Sequence, residues 1–164
     1  MRRSILVRTC VIVALLGPTL WSLQPSADAQ EKLAEKELAA LQGTWVIVGK
    51  QFMGKTASEE EVKKLTGRTL IMENKKTEIG EDLGKEEVIS ESTFKVDPAA
   101  KPKTMDLKFI SGPFKGETQL ALYELNGDTL KVCYSFGEGA PRPTEFAGKL
   151  DGKSLFLTYK RQKK

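Results

Sequence analysis

The stretch TQLALYELNGDTLKVCYSF, from Thr118 to Phe136, decides the fold. Asn126-Gly127 separates two strand-like runs. A type I′ hairpin turn needs positive φ at both central residues, which Asn-Gly supplies. In the second run Leu130, Val132, Tyr134 and Phe136 share one face, and Thr129, Lys131, Cys133 and Ser135 share the other. That period of two is the pattern of a half-buried strand. The same grammar continues on both sides. Downstream, Thr144–Leu150 and Ser154–Arg161 flank Asp151-Gly152 as a second expected hairpin. Upstream, Met105, Leu107 and Phe109 alternate with Asp106 and Lys108. Further strands are expected at Thr44–Phe52, Arg68–Glu73 and Lys76–Gly80. After a turn at Asp82-Leu83-Gly84, strand pattern resumes at Glu86–Ile89. Ser92–Val96 continues or follows that strand, and Asp97-Pro98 ends it.

Only two segments read as helix. Leu33, Leu38 and Leu41 lie near one face of Glu31–Leu41, with Gly43 as a stop. Ser58-Glu59-Glu60-Glu61 is a capping box that opens a second short helix through Leu65. Its acidic first turn and Lys63-Lys64 near its end suit the helix dipole. The fold class is therefore all-β: eight or nine short antiparallel strands, a short N-terminal helix and one short inserted helix. No helices alternate with the later strands, which disfavours a parallel α/β sheet. Closure into a barrel removes exposed strand edges. A two-sheet sandwich satisfies the same pattern.

Composition excludes much chemistry. The chain has 164 residues, 26 Lys+Arg, 22 Asp+Glu and no His. A histidine-based triad, a His metal ligand and an imidazole general base are thus impossible. Two Cys, at 10 and 133, cannot build a zinc cluster or a disulfide framework. There is no P-loop or dinucleotide fingerprint. No catalytic, metal or cofactor-binding residues are assigned. The small charge excess is interspersed, apart from Lys160-Arg161 with Lys163-Lys164, so no nucleic-acid footprint is formed.

Residues 1–29 read as a signal peptide. Arg2, Arg3 and Arg8 precede an apolar run from Cys10 to Leu23, and Ala27-Asp28-Ala29 is a small-x-small cleavage pattern. Gly17-Pro18 interrupts a run already shorter than the about 20 residues a spanning helix needs. Cleavage after Ala29 is expected to leave residues 30–164 as one domain. That product would be periplasmic or extracellular, with no stable membrane insertion. Cys133 is then its only thiol and reads as a structural strand residue.

Gly43-Thr44-Trp45, after a short helix and opening the first strand, resembles the Gly-x-Trp signature of lipocalins and related calycin barrels. That resemblance implies that Trp45 plugs one end of a barrel. It also implies that a basic residue near the last strand, Arg161 or Lys160, packs over the indole, an arrangement worth about 0.5–2 kcal/mol. A closer resemblance covers about residues 38–161. It is carried by Leu41-Gln42-Gly43-Thr44-Trp45, Thr93-Phe94-Lys95-Val96-Asp97, Lys101-Pro102-Lys103 with Met105-Asp106-Leu107, and Lys115-Gly116. Tyr123-Glu124-Leu125 with Gly127-Asp128-Thr129-Leu130, and Arg142-Pro143-Thr144-Glu145-Phe146, complete it. In this order they resemble a family of exported lipocalin-like domains abundant in planctomycete bacteria. The resemblance implies an exported barrel and carries no activity with it. Lys75–Glu91 departs from it by being longer and more acidic, which leaves the third and fourth strands open.

The functional expectation is a non-catalytic binding domain holding a small apolar or amphipathic ligand. Trp45, Tyr134, Phe136, Arg142 and Glu145 are the expected binding residues, and the Gly/Pro-rich loop from Gly137 to Phe146 is the expected place for them. Arg142 and Glu145 could form a polar pair at the barrel mouth, or a structural pair that pins the loop. The alternative is a cell-envelope interaction or structural module with a filled barrel, its protein partner unspecified. An enzyme using paired carboxylates ranks third. Its candidates, Glu59–Glu61, Glu81-Asp82 and Glu86-Glu87, lie in charge-rich segments or at a helix start. No stretch has the spacing of a calcium loop.

Overall fold

A computed structural model describes residues 26–65, 67–82, 85–137 and 139–163. Residues 1–25, which hold most of the expected leader, lie outside the described residues, as do Leu83 and Gly84 of the expected turn. In chain order the elements are α1 (Ala27–Leu41), β1 (Gly43–Phe52), β2 (Lys55–Thr56), α2 (Glu59–Lys63), β3 (Gly67–Met72) and β4 (Lys75–Asp82). There follow β5 (Lys85–Asp97), β6 (Thr104–Ser111), β7 (Thr118–Asn126), β8 (Thr129–Ser135) and β9 (Ser154–Arg161). Every pairing is antiparallel, each strand from β3 to β9 pairs with the next, and β1 pairs with both β3 and β9. That double pairing closes an eight-stranded barrel and excludes the open sandwich. β2 is an extra two-residue strand beside β1.

The Asn126-Gly127 hairpin forms as read, with Asn126 opposite Thr129 and Tyr134 opposite Ala121. The two expected pieces Glu86–Ile89 and Ser92–Val96 are one strand, β5, irregular against both neighbours. The capping box is complete: Ser58 N donates to Glu61 Oε2 at 2.7 Å and Glu61 N donates to Ser58 Oγ at 3.3 Å. α1 begins four residues earlier than expected, because Ser26 caps it and accepts from Ala29 N.

One expected strand is absent. Thr144–Leu150 is irregular, so Asp151-Gly152 is not a hairpin turn. The reason is topological. β1 and β8 occupy both edges of β9, which leaves residues 144–150 no edge to pair with. They lie instead against the outside of the barrel. Cys133 Sγ and Ser154 Oγ donate to Ala147 O, Gly54 N donates to Gly148 O at 2.6 Å, and Gly148 N donates to Gln51 Oε1. A Cβ on Gly148 would stand 2.1 Å from Gln51 O, so only glycine allows this approach.

The main core is the barrel interior. Trp45, Phe94, Leu107, Tyr123, Val132 and Tyr159 from β1 and β5–β9 are all buried there. Leu122 and Cys133 are buried too, but on the alternate face of their strands and outside that cluster, beneath the 137–153 connection. Full burial of an apolar side chain contributes about 1.5–3 kcal/mol, so covering this outer face gives the strap a thermodynamic reason to stay down.

Candidate functional site

One end of the barrel is closed. Trp45 is fully buried and its indole N–H donates to Leu41 O at 3.0 Å. Arg161 lies over the ring, 4.2 Å from its centroid. The guanidinium also donates to Gln42 O and, at 2.7 Å, to Ala40 O, so it caps carbonyls at the end of α1. Gly43 has φ +125°, and a Cβ there would stand 2.8 Å from Arg161 Nη1. The Gly-x-Trp triplet thus has a local physical reason: the glycine makes room for the cation that covers the tryptophan. Of the two basic residues expected for that role, Arg161 fills it. Lys160 instead donates to Thr129 Oγ1.

The opposite end carries α2 and is open. Beside α2 lies a depression of about 200 Å³, lined by Ile47, Leu65, Thr69, Glu78, Ile79 and Ile89. A second, of about 280 Å³, meets it at Leu65 and is lined by Lys50, Phe52 and Glu61 among others. Ile89 comes to the first through the irregularity in β4–β5 pairing, where Glu78 faces Ser90 and Ile79 faces Val88. Its Cδ1 lies 2.5 Å from where a Cβ on Gly80 would be. The rim around this end bears exposed apolar side chains, among them Met53, Val88, Ile89, Phe114 and Phe136.

Below the depression the barrel interior is polar, which the sequence did not lead us to expect. Lys76 is buried, and its ammonium donates to Glu78 Oε1 at 2.7 Å. Ser90 Oγ donates to Glu78 Oε2 at 2.7 Å. Lys76 Nζ lies 4.8 Å from the centroid of the Tyr134 ring, and the Tyr134 and Tyr159 hydroxyls are 3.3 Å apart. Burial is the largest single influence on Lys76 and lowers its pKa, but the Glu78 charge, the neighbouring Tyr159 and the hydrogen bond to Glu78 together leave the value above the ordinary 10.5. Lys76 in turn holds the Glu78 carboxyl below 4.5, against the effect of burial. Burial raises both tyrosines above 10.0. At neutral pH the cluster is therefore an ion pair beside two neutral phenols. The Lys76 side chain is 5% exposed and that of Glu78 is 38% exposed, so the carboxylate is the member that reaches the opening.

The five expected binding residues do not share one cavity. Trp45 is registered with Arg161 and Tyr134 with Leu155, six residues apart on β9, or about 20 Å at strand rise. Tyr134 points inward. Phe136 follows the last residue of β8 and is not enclosed; it is half-exposed on the rim, edge-on to Phe52 at 5.0 Å. Arg142 and Glu145 do not pair with each other and sit outside the barrel. Arg142 donates to Ala121 O at 2.8 Å, to Met105 O at 3.3 Å and to Asp106 Oδ1 at 2.5 Å. Glu145 pairs with Lys149 on the surface. Asp106 is an alternating outward residue of β6, so it presents its carboxylate where the strap crosses. Arg142 is a clamp on that strap. Glu138, within the same loop, lies outside the described residues.

A third depression, of about 310 Å³, lies between the β5–β6 loop and β7, lined by Pro98, Pro102, Lys103, Tyr123 and Phe146 among others. Lys103 there is engaged by Glu37 of α1 at 2.6 Å. Among the described residues, no group of three or more His, Cys, Asp or Glu is placed to hold a metal ion, and no helix is long and apolar enough to cross a membrane. Set against family models, curated proteins and solved structures, the chain matches none.

Proposed function

We propose that this protein is an exported, non-catalytic binding domain that takes a small amphipathic molecule at the open end of its barrel. The observation that carries the reading is the depression beside α2, with apolar walls of Ile47, Leu65, Ile79 and Ile89 and a polar floor of Thr69 and Glu78. Convergent polar groups under an apolar wall are the usual form of a small-molecule site. At about 200 Å³ the depression is smaller than typical ligand pockets of about 300–1,000 Å³, so it takes a small head group at the mouth rather than a molecule threaded through the barrel. The apolar rim and the adjoining depression extend the surface available to an apolar tail. Export rests on the leader pattern of residues 1–29. Kinship with exported lipocalin-like domains rests on Gly43-Thr44-Trp45 and the blocks that follow it.

Methyl-resolved NMR titration with small amphiphiles tests this reading. Shifts should concentrate at the methyls of Ile47, Ile79 and Ile89, and Ile89→Trp should abolish them while leaving the fold intact. Amphiphiles that shift none of these methyls would refute binding at this mouth. A packed interior favours a second reading, in which the barrel is filled and the exposed rim contacts another envelope protein. Rim substitutions that abolish a specific complex without any small-molecule binding would establish it.

A further inference from the structure

Resting on that mouth site, we infer that its ligand carries an ammonium or amine head group, received by Glu78. The site presents its charges unequally. Among the described residues, Glu78 is the only carboxylate lining the depression, and its two oxygens are each held, one by Lys76 and one by Ser90. A carboxylate has about four lone-pair positions. The two described bonds use one on each oxygen, so acceptor capacity remains on both. The carboxylate is thus fixed before a ligand arrives, and the ligand need not supply the energy to order it.

The cations nearby are not offered in the same way. Lys76 lies behind the carboxylate and is nearly closed off from solvent. Arg68 stands next to Thr69, the register partner of Glu78, so its side chain lies on the other face of the sheet, where both arms of its guanidinium are engaged by Glu86. An anionic head at the mouth would therefore meet the Glu78 carboxylate before it could approach Lys76. A cationic head meets that carboxylate first, with Lys76 one bond further back. Lys76 and Glu78 cancel as a pair, so selectivity comes from this order of presentation rather than from net charge. The walls of Ile47, Leu65, Ile79 and Ile89 then meet the alkyl or aromatic part of the same molecule. An alcohol and an ammonium can both donate to this ionised acceptor, but only the ammonium adds charge–charge attraction, which separates it from an alcohol of equal length.

The test compares hexylammonium, hexanol and hexanoate in the same methyl-resolved titration of the purified protein. Hexylammonium should bind at least tenfold tighter than the other two. The double variant Lys76→Met/Glu78→Gln removes the pair as a neutral unit and leaves no lone buried charge. It should erase the preference, bringing hexylammonium and hexanol within threefold of each other. If that variant does not fold, Glu78→Asp serves instead. It keeps the charge pair but draws the carboxylate back by one methylene, and the ammonium preference over hexanoate should shrink by threefold or more. Equal binding of the three probes, or hexanoate binding tightest, overturns the head-group inference and leaves the mouth site standing. Binding of none of them overturns both.

Discussion

Breaking the Lys76–Glu78 pair from either side should have unequal costs. Glu78→Gln removes the anion and leaves an ammonium whose side chain is only 5% exposed, at a distance of 2.7 Å from its former partner. Orphaning a buried charge costs about 3–5 kcal/mol. Lys76→Met leaves a carboxylate that is 38% exposed and still bonded to Ser90. Water at the mouth can solvate it, so the loss falls toward that of one charge-assisted bond, about 1.5–3 kcal/mol. The double variant should cost less than Glu78→Gln alone, because replacing both members of a buried pair is often close to neutral. Urea denaturation at neutral pH, with midpoints compared at constant slope, reads all three values. Two results would refute the reasoning: Lys76→Met costing more than Glu78→Gln, or a double variant equal to the sum of the singles. The first would mean that the carboxylate is the more deeply buried partner. The second would mean that the two charges are not coupled.

Three other outcomes follow from the fold. Trp45→Ala should destabilise by about 3–5 kcal/mol, as for a buried large aromatic, and a urea melt showing under about 0.5 kcal/mol would contradict its role at the closed end. Arg142→Ala should cost about 1–3 kcal/mol, through carbonyls of Met105 and Ala121 left without their donor, and should not alter amphiphile binding at the mouth; a binding defect at unchanged stability would return Arg142 to the ligand site. The chain's three tyrosines, Tyr123, Tyr134 and Tyr159, are all held above the ordinary value of 10.0, first by burial. An acid whose folded pKa is raised keeps its proton in the native state, so stability is unaffected below about pH 10 and falls as pH rises beyond it. Tyrosinate absorbance should therefore appear only together with loss of β-structure by circular dichroism, and a phenol titrating near pH 10 in the folded protein would contradict this burial.

The barrel was legible where local chemistry and hydrophobic alternation agree. Asn126-Gly127 specified its own turn, the Ser58–Glu61 box capped α2, and Leu130, Val132 and Tyr134 declared their inner face. The Lys76–Glu78 cluster was hidden because Lys75–Asp82 carries no apolar alternation to show which parity faces inward. Lys76–Gly80 reads as a strand, but nothing in it assigns Lys76 or Glu78 to a face. A signal was present in the spacing: Lys76 and Glu78 on one strand, with Ser90 and Ser92 on the next, are polar positions two apart that register opposite each other. Thr144–Leu150 failed for the reverse reason. Its local pattern suits a strand, but strand formation needs a free edge, and edge availability is a property of the closed sheet rather than of seven residues.

The seam between β1 and β9 also sets the order of events during folding. Residues 43–52 have to wait for residues 154–161 before the ring can shut. Closing a gap of that length costs entropy that is recovered only when the last contacts form, and such distant pairing slows folding. Until β9 docks, β1 and β8 each have an unsatisfied edge, and Trp45 has no guanidinium above it. The domain is thus an open ribbon until β9 arrives, and closure is a late event in folding.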